Sequence, residues 1–203
     1  MTEAAELSPR QTTLLTAAVQ VVAASGLRGL THRAVDRQAG LPEGTCSAYL
    51  RTRLALLVAL TRFVTSHFTR EIAALTGRIQ EHAGEDGYAL AQTLDALRDW
   101  LDHPDLTLVR MELAIEGSRT PEIADLMEKQ AEELVEIVEH VMLVAGHEHG
   151  RDRAVTLIAA FEGLLLRALR EPSAQREKLL DDSLRLLLGS LVGLSEDEVT
   201  GVS

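Results

Sequence analysis

Residues 30–57 read LTHRAVDRQAGLPEGTCSAYLRTRLALL, from Leu30 to Leu57, and this stretch decides the fold. Thr31 is an N-cap candidate, with Leu30 before it and Val35 four positions into the helix placed to form a hydrophobic staple. That helix ends at Ala39-Gly40, where glycine takes the left-handed conformation a sharp turn requires. Pro42 opens a third helix, since its missing N–H costs nothing there. On that helix Cys46 and Tyr49 fall three apart and are expected to pack inward, while Thr45, Ser47 and Ala48 point elsewhere. Thr52 then caps a long fourth helix beginning near Arg53. Two short helices on a tight glycine turn, followed by a basic elbow at Arg51 and Arg53, are what placing one helix in a DNA major groove needs.

Upstream, Ser8-Pro9-Arg10-Gln11 forms a capping-box pattern with proline at the first helical position. Apolar residues recur at Leu14, Leu15, Ala18, Val19 and Val22 before Gly26 closes this first helix. With these pieces together, the segment resembles the DNA-binding domain of the tetracycline-repressor (TetR) family of bacterial regulators. The matching residues are Gly26, then Leu30-Thr31-x-Arg33, then Ala39-Gly40-Leu41-x-x-Gly44-Thr45, then Tyr49-Leu50, Arg53 and Leu56-Leu57. The close match covers residues 8 to 65, and the remainder only in helical layout and length. The resemblance implies an all-α homodimer with a ligand-responsive C-terminal domain controlling binding to a palindromic operator. Three positions depart from the family pattern. Asp36 replaces a small packing residue and is expected to face solvent or pair with Arg33 or Arg37. Pro42 removes a common hydroxyl cap, and Ser47 stands where a tyrosine is frequent, so the operator sequence is not readable from the chain.

The charge distribution agrees with a two-part chain. All 203 residues carry a formal net charge of −11, but residues 1–70 carry +4 and residues 71–203 carry −15. A basic head can neutralise phosphates while an acidic body discourages non-specific adhesion to the duplex. No uninterrupted apolar stretch is long enough to span a bilayer and no secretory leader opens the chain, so a cytoplasmic location is expected. The single Cys46 excludes an intramolecular disulfide framework and any cysteine zinc cluster, and reads as a small buried hydrophobe.

The body predicts six further helices, about nine in all. The fourth carries Leu56, Leu60, Phe63 and His67 on one face; Leu90, Leu94, Leu97 and Leu101 mark the fifth; Met111 and Ile115 lie on the sixth. The seventh starts at Thr120-Pro121 and turns Leu134, Ile137, Val138 and Val141 inward and its glutamates outward. A turn from Gly146 to Gly150 leads to the eighth, and Ser173 caps the ninth. The expected domains are a helix-turn-helix head over 1–55, a ligand-binding and dimerisation body over 56–195, and a flexible tail over 196–203. The last two helices are unusually apolar: Ala160, Leu164, Leu165 and Ala168 line one, and Leu180, Leu184, Leu187, Leu188 and Leu191 the other. Such surfaces suit a four-helix dimer interface, with the leucines divided between that interface and the core, and Gly163 allowing close backbone approach. Two half-sites roughly 34 Å apart require such a dimer.

On the resemblance, Thr31 and His32 sit at the positive end of the second helix, facing phosphate. Arg33 and Arg37 reach phosphates or pair with Asp36. Glu43, Thr45, Ser47 and Ala48 are placed for base edges, Glu43 otherwise stabilising a helix dipole. Gly44 permits close backbone approach, Tyr49 offers a hydroxyl to phosphate from a buried ring, and Arg51 and Arg53 are the phosphate clamps. Phe63, His67, Trp100, Met111, Ile115 and Phe161 are candidate effector-pocket walls, with His67 or Glu162 as polar anchor. The expected mechanism is a ligand-driven tilt of the fourth helix that alters half-site spacing.

No cofactor, metal or catalytic residue is expected. His147-Glu148-His149 resembles a metal-ligand cluster but sits in a glycine-bounded loop with no helical i, i+4 partner. The alternative to a regulator is a helical small-molecule-binding, lipid-binding or adaptor protein without operator activity.

Overall fold

The computed structural model describes residues 7–85, 87–144 and 149–192. Among these residues the chain forms nine α-helices and no strand: α1 (Pro9–Gly29), α2 (His32–Gln38), α3 (Thr45–Tyr49), α4 (Arg53–Glu81), α5 (Tyr88–Asp102), α6 (Asp105–Gly117), α7 (Pro121–Val144), α8 (Gly150–Ala168) and α9 (Ser173–Leu187). A π-type turn, Leu188–Val192, follows α9. None of these helices is long and apolar enough to cross a membrane. The tail over 196–203 lies outside the described residues, as do His147 and Glu148.

Three helix starts are capped where the sequence places them, whereas α9 begins at Ser173 with Pro172 before it and no side-chain cap, and α1 runs past Gly26 to Gly29. Ser8 Oγ accepts the N–H of Gln11, and Gln11 Oε1 accepts the N–H of Ser8 at 3.0 Å, closing the capping box. Thr31 Oγ1 caps α2 through the N–H of Ala34 at 3.1 Å, and Thr52 Oγ1 accepts the N–H of Ala55 at 3.0 Å in the first turn of α4.

The contacts group the chain into two compact units that a single cut cannot separate. The first comprises residues 1–67 and 105–129, the second residues 68–104 and 130–203. In the first, α1 packs on both α2 and α6. Its core contains Leu14, Leu15, Ala18 and Val22 from α1, Leu30 and Val35 from the next turn and helix, Leu56 and Leu60 from α4, and Val109 and Leu113 from α6, all buried. The helix α6 joins this unit because two of its apolar residues, four apart, complete the covering of α1.

In the second unit α9 packs on α5 and α8. Leu90, Leu94, Leu97 and Leu101 of α5, Leu157, Leu164, Leu165 and Ala168 of α8, and Leu180 and Leu184 of α9 are buried there. Charged residues fasten the helices at the rim. Arg98 donates to both carboxylate oxygens of Glu177, its Nη2 lying 2.7 Å from Oε2, which holds the Glu177 carboxyl below its ordinary range. Arg151 reaches Glu132 with Nη2 2.7 Å from each carboxylate oxygen, and Arg153 donates to the carbonyl of Leu191 in the terminal turn at 2.6 Å.

Candidate nucleic-acid interface

The helix α3 has five residues, far too few to be stable as an isolated helix. Its start is also later than the sequence predicts. Pro42 lies in a turn whose carbonyl accepts both the N–H and the hydroxyl of Thr45, and the N-cap is Gly44 at φ +93°, where a side chain would be strained. Gly44 offers no side chain to cap the helix. The cap comes instead from α2. Asp36 Oδ2 accepts the N–H of Gly44 at 2.8 Å, and Oδ1 accepts the N–H of Cys46 at 2.7 Å.

Asp36 is therefore neither solvent-facing nor paired with Arg33 or Arg37, as the sequence led us to expect; it is fully buried. Two backbone donors and the positive end of α3 compensate the desolvation of its carboxylate. Cys46 is buried beside it, and burial, reinforced by the Asp36 charge, pushes the thiol pKa from 9.0 up to about 11.

With Cys46 facing inward, α3 turns its other side out. Ser47, Ala48 and Tyr49 are exposed. Tyr49 corrects the expected inward face: it ends α3, and the chain departs at Leu50 before a second turn can bury its ring. The hydroxyl of Ser47 donates to the Gly44 carbonyl at 3.0 Å. An open groove beside α3 is lined by Thr31, His32, Arg33, Asp36, Glu43, Gly44 and Ser47. Arg33 and Glu43 face each other across it at 3.8 Å, both largely exposed, so the pair is weak.

Two expected phosphate ligands are engaged inside the protein. The ring Nε2 of His32 is hydrogen-bonded to the carbonyl of Leu50. Arg53 donates through Nη1 to the carbonyl of Leu30 and through Nη2 to that of Leu27 at 2.7 Å, bracing the segment between α1 and α2 against the start of α4. Arginine is suited to this because its planar fork serves two carbonyls at once. Arg37 and Arg51 remain exposed cations on the same unit.

The expected effector residues divide between the two units. Phe63, His67 and Met111 are half-buried and Ile115 is 59% exposed in the first. In the second, Trp100 meets Phe68 edge-on with ring centroids 5.4 Å apart, Phe161 is half-buried and Glu162 is exposed. Gln130, which no sequence motif marks, is 3% exposed, and its amide nitrogen and oxygen find no partner among the described residues. A lone polar residue in an apolar helix face was its only signal.

On α8, α9 and the turn that follows, Leu164, Leu165, Ala168, Leu180, Leu184 and Leu188 are buried within the single chain; Ala160, Leu187 and Leu191 are half-buried. The large apolar side chains left exposed there are Val155, Leu166 and Leu186, the last 71% exposed. A Cβ on Gly163 would meet open space, so no backbone approaches it closely within the chain.

Residues 85–193, more than half of the chain, match the family model of the tetracyclin repressor-like C-terminal domain. The chain belongs to the tetracycline-repressor-like family. Solved structures share the fold of this TetR-family chain. A transcriptional regulator from Rhodococcus sp. Rha1 is 22% identical with a TM-score of 0.70, the match covering 88% of this chain and 95% of the other. A TetR-family member from Streptomyces coelicolor A3 is 23% identical with a TM-score of 0.70, over 89% and 98%. The multidrug binding protein EbrR, solved with ethidium, is 23% identical with a TM-score of 0.62, over 87% and 98%. No curated protein matches the sequence.

Proposed function

We propose that this TetR-family protein is a ligand-responsive transcriptional repressor that acts in the cytoplasm and binds a palindromic operator as a homodimer. The observation that carries the reading is α3: its Cys46 side is clamped to α2 while Ser47, Ala48 and Tyr49 are exposed, within a stretch, residues 1–70, of net charge +4. Small side chains let the helix backbone approach base edges, and Thr45, Ser47 and Glu43 supply donors and acceptors. Arg51, Arg37 and the Tyr49 hydroxyl contact phosphates and fix register. Glu43 favours a cytosine amine, and its release from Arg33 costs little because the pair is exposed.

Two heads are held at half-site spacing by a face of α8 and α9 bearing Val155, Leu166 and Leu186, with Gly163 admitting the partner's backbone. Effector binding belongs to the body, and differential affinity for one body conformation lowers the population of the DNA-competent dimer; the multidrug binding protein EbrR, which shares the fold, forms a complex with ethidium. Among the described residues no three His, Cys, Asp or Glu side chains are grouped to hold an ion, and His147 and Glu148 lie outside those residues.

The deciding experiment is a gel shift with duplex DNA flanking the protein's own gene, repeated over a salt series. Wild-type protein should retard that duplex ahead of random DNA, and Arg51→Ala should weaken it and flatten the slope of log K against log salt by about 0.9 per lost contact. A folded dimer that prefers no duplex over random DNA would leave the lipid-binding or adaptor alternative standing.

A further inference from the structure

We propose that Asp36 is the positioning residue of the recognition helix: its buried carboxylate, bonded to the N–H groups of Gly44 and Cys46, sets the pitch at which α3 is presented to DNA. The inference rests on the DNA-binding reading above and adds to it the group on which sequence discrimination depends.

Little else holds α3. A helix of five residues cannot offset its nucleation cost from its own hydrogen bonds. Its N-cap is a glycine in the left-handed region, with no side-chain bond. Cys46 is its one buried residue, so packing supplies a single small contact. Against this stand two short charge-assisted bonds, at 2.8 and 2.7 Å, from one carboxylate on the preceding helix. The two acceptor oxygens bond amides two residues apart, so they fix both the position of the helix start and its rotation about its own axis. A single acceptor would leave that rotation free.

Rotation is what DNA reading needs. Ser47, Ala48 and Tyr49 are successive exposed residues, and turning α3 by one residue, about 100°, would exchange the side facing the groove. Phosphate contacts from Arg51 and Arg37 do not depend on that rotation. Loss of the carboxylate should therefore erode discrimination between sequences while sparing the salt-dependent, non-specific affinity.

Asp36→Asn is the informative variant because it preserves volume. Its amide carries one acceptor oxygen, and its NH2 group would face a backbone N–H it cannot satisfy. The probes are a duplex selected by the wild-type protein from a randomised pool and an equal length of random DNA. The expected result is a drop of at least about tenfold in the ratio of selected to random affinity, with random-DNA affinity and its salt slope unchanged. A mere loss of folded protein would lower both affinities together and leave the ratio alone. Amide hydrogen exchange on the wild type supplies a reading that needs no variant: the N–H of Gly44 should be protected although Gly44 itself is solvent-exposed. Fast exchange there overturns the proposal, as does Asp36→Asn with wild-type discrimination. If the wild type itself prefers no duplex, the operator-binding reading falls and takes this inference with it; if it discriminates and the variant does so equally, the inference alone falls.

Discussion

Glu112 Oε2 accepts the backbone N–H of Leu27 at 2.7 Å, so a carboxylate on α6 closes the break in α1. That break is Gly26, at φ +66° and ψ 176°, a backbone region that essentially only glycine occupies. A Cβ there would also lie 3.1 Å from Glu112 Oε1. The carbonyl of the same Leu27 receives Arg53 from α4. The backbone of one residue thus ties α6 and α4 to the segment that leads into α2.

Glu112→Ala should lower the unfolding free energy by about 1–3 kcal/mol, the cost of a backbone donor left without its charged acceptor. Gly26→Ala should cost about as much through strain at that backbone conformation. Because both act on one junction, their effects in a double-mutant cycle should be less than additive. Additive thermal-denaturation losses would disprove the shared junction.

Arg51 and Arg53 sit two residues apart but should separate cleanly in experiment. Arg53→Ala removes both carbonyl contacts and should lower the melting temperature, whereas Arg51→Ala should leave it within a degree or so. On DNA, only Arg51→Ala should flatten the salt slope while keeping full stability. Calorimetry together with titrations at several salt concentrations reads both effects.

Exposed and buried leucines on α9 should answer differently. Leu186, 71% exposed, belongs to the proposed dimer face, and Leu186→Glu should yield a folded monomer by analytical ultracentrifugation. Leu184, fully buried, is core, and Leu184→Ala should cost about 2–5 kcal/mol of stability through the cavity it leaves. A Leu186→Glu protein that stays dimeric would place the interface elsewhere.

Cys46 should resist thiol reagents at pH 8 in the native protein and react at its unfolding rate, since burial and the neighbouring Asp36 carboxylate disfavour the thiolate. A folded-state pKa raised from 9.0 to about 11 means the native state holds its proton over that interval while the unfolded state has released it. The thiol's contribution is thus fully present below pH 9 and is lost as pH rises from 9 to about 11. Denaturant titrations of wild type against Cys46→Ala across this window should show the difference shrinking with pH.

The chain's own residues dictate a great deal of this. Ser8, Pro9, Thr31, Gly40 and Thr52 mark helix ends by local rules, and those rules hold in the folded chain because capping and φ preferences act within three or four residues. The leucine spacing of α5 likewise states which face is buried. What sequence order could not show is every choice between partners distant in the chain. Asp36 meets Gly44 and Cys46 only after the turn at Gly40 folds α3 back on α2; Arg53 has two carbonyls within reach that outcompete solvent; Glu112 lies 85 residues from Leu27. The same holds for α8 and α9, where apolar content was plain but the division between Leu184 inside and Leu186 outside depends on where α5 and α8 lie. Periodicity and capping are local and were written in the chain; the partner each charge takes, and the side each leucine faces, were decided by packing.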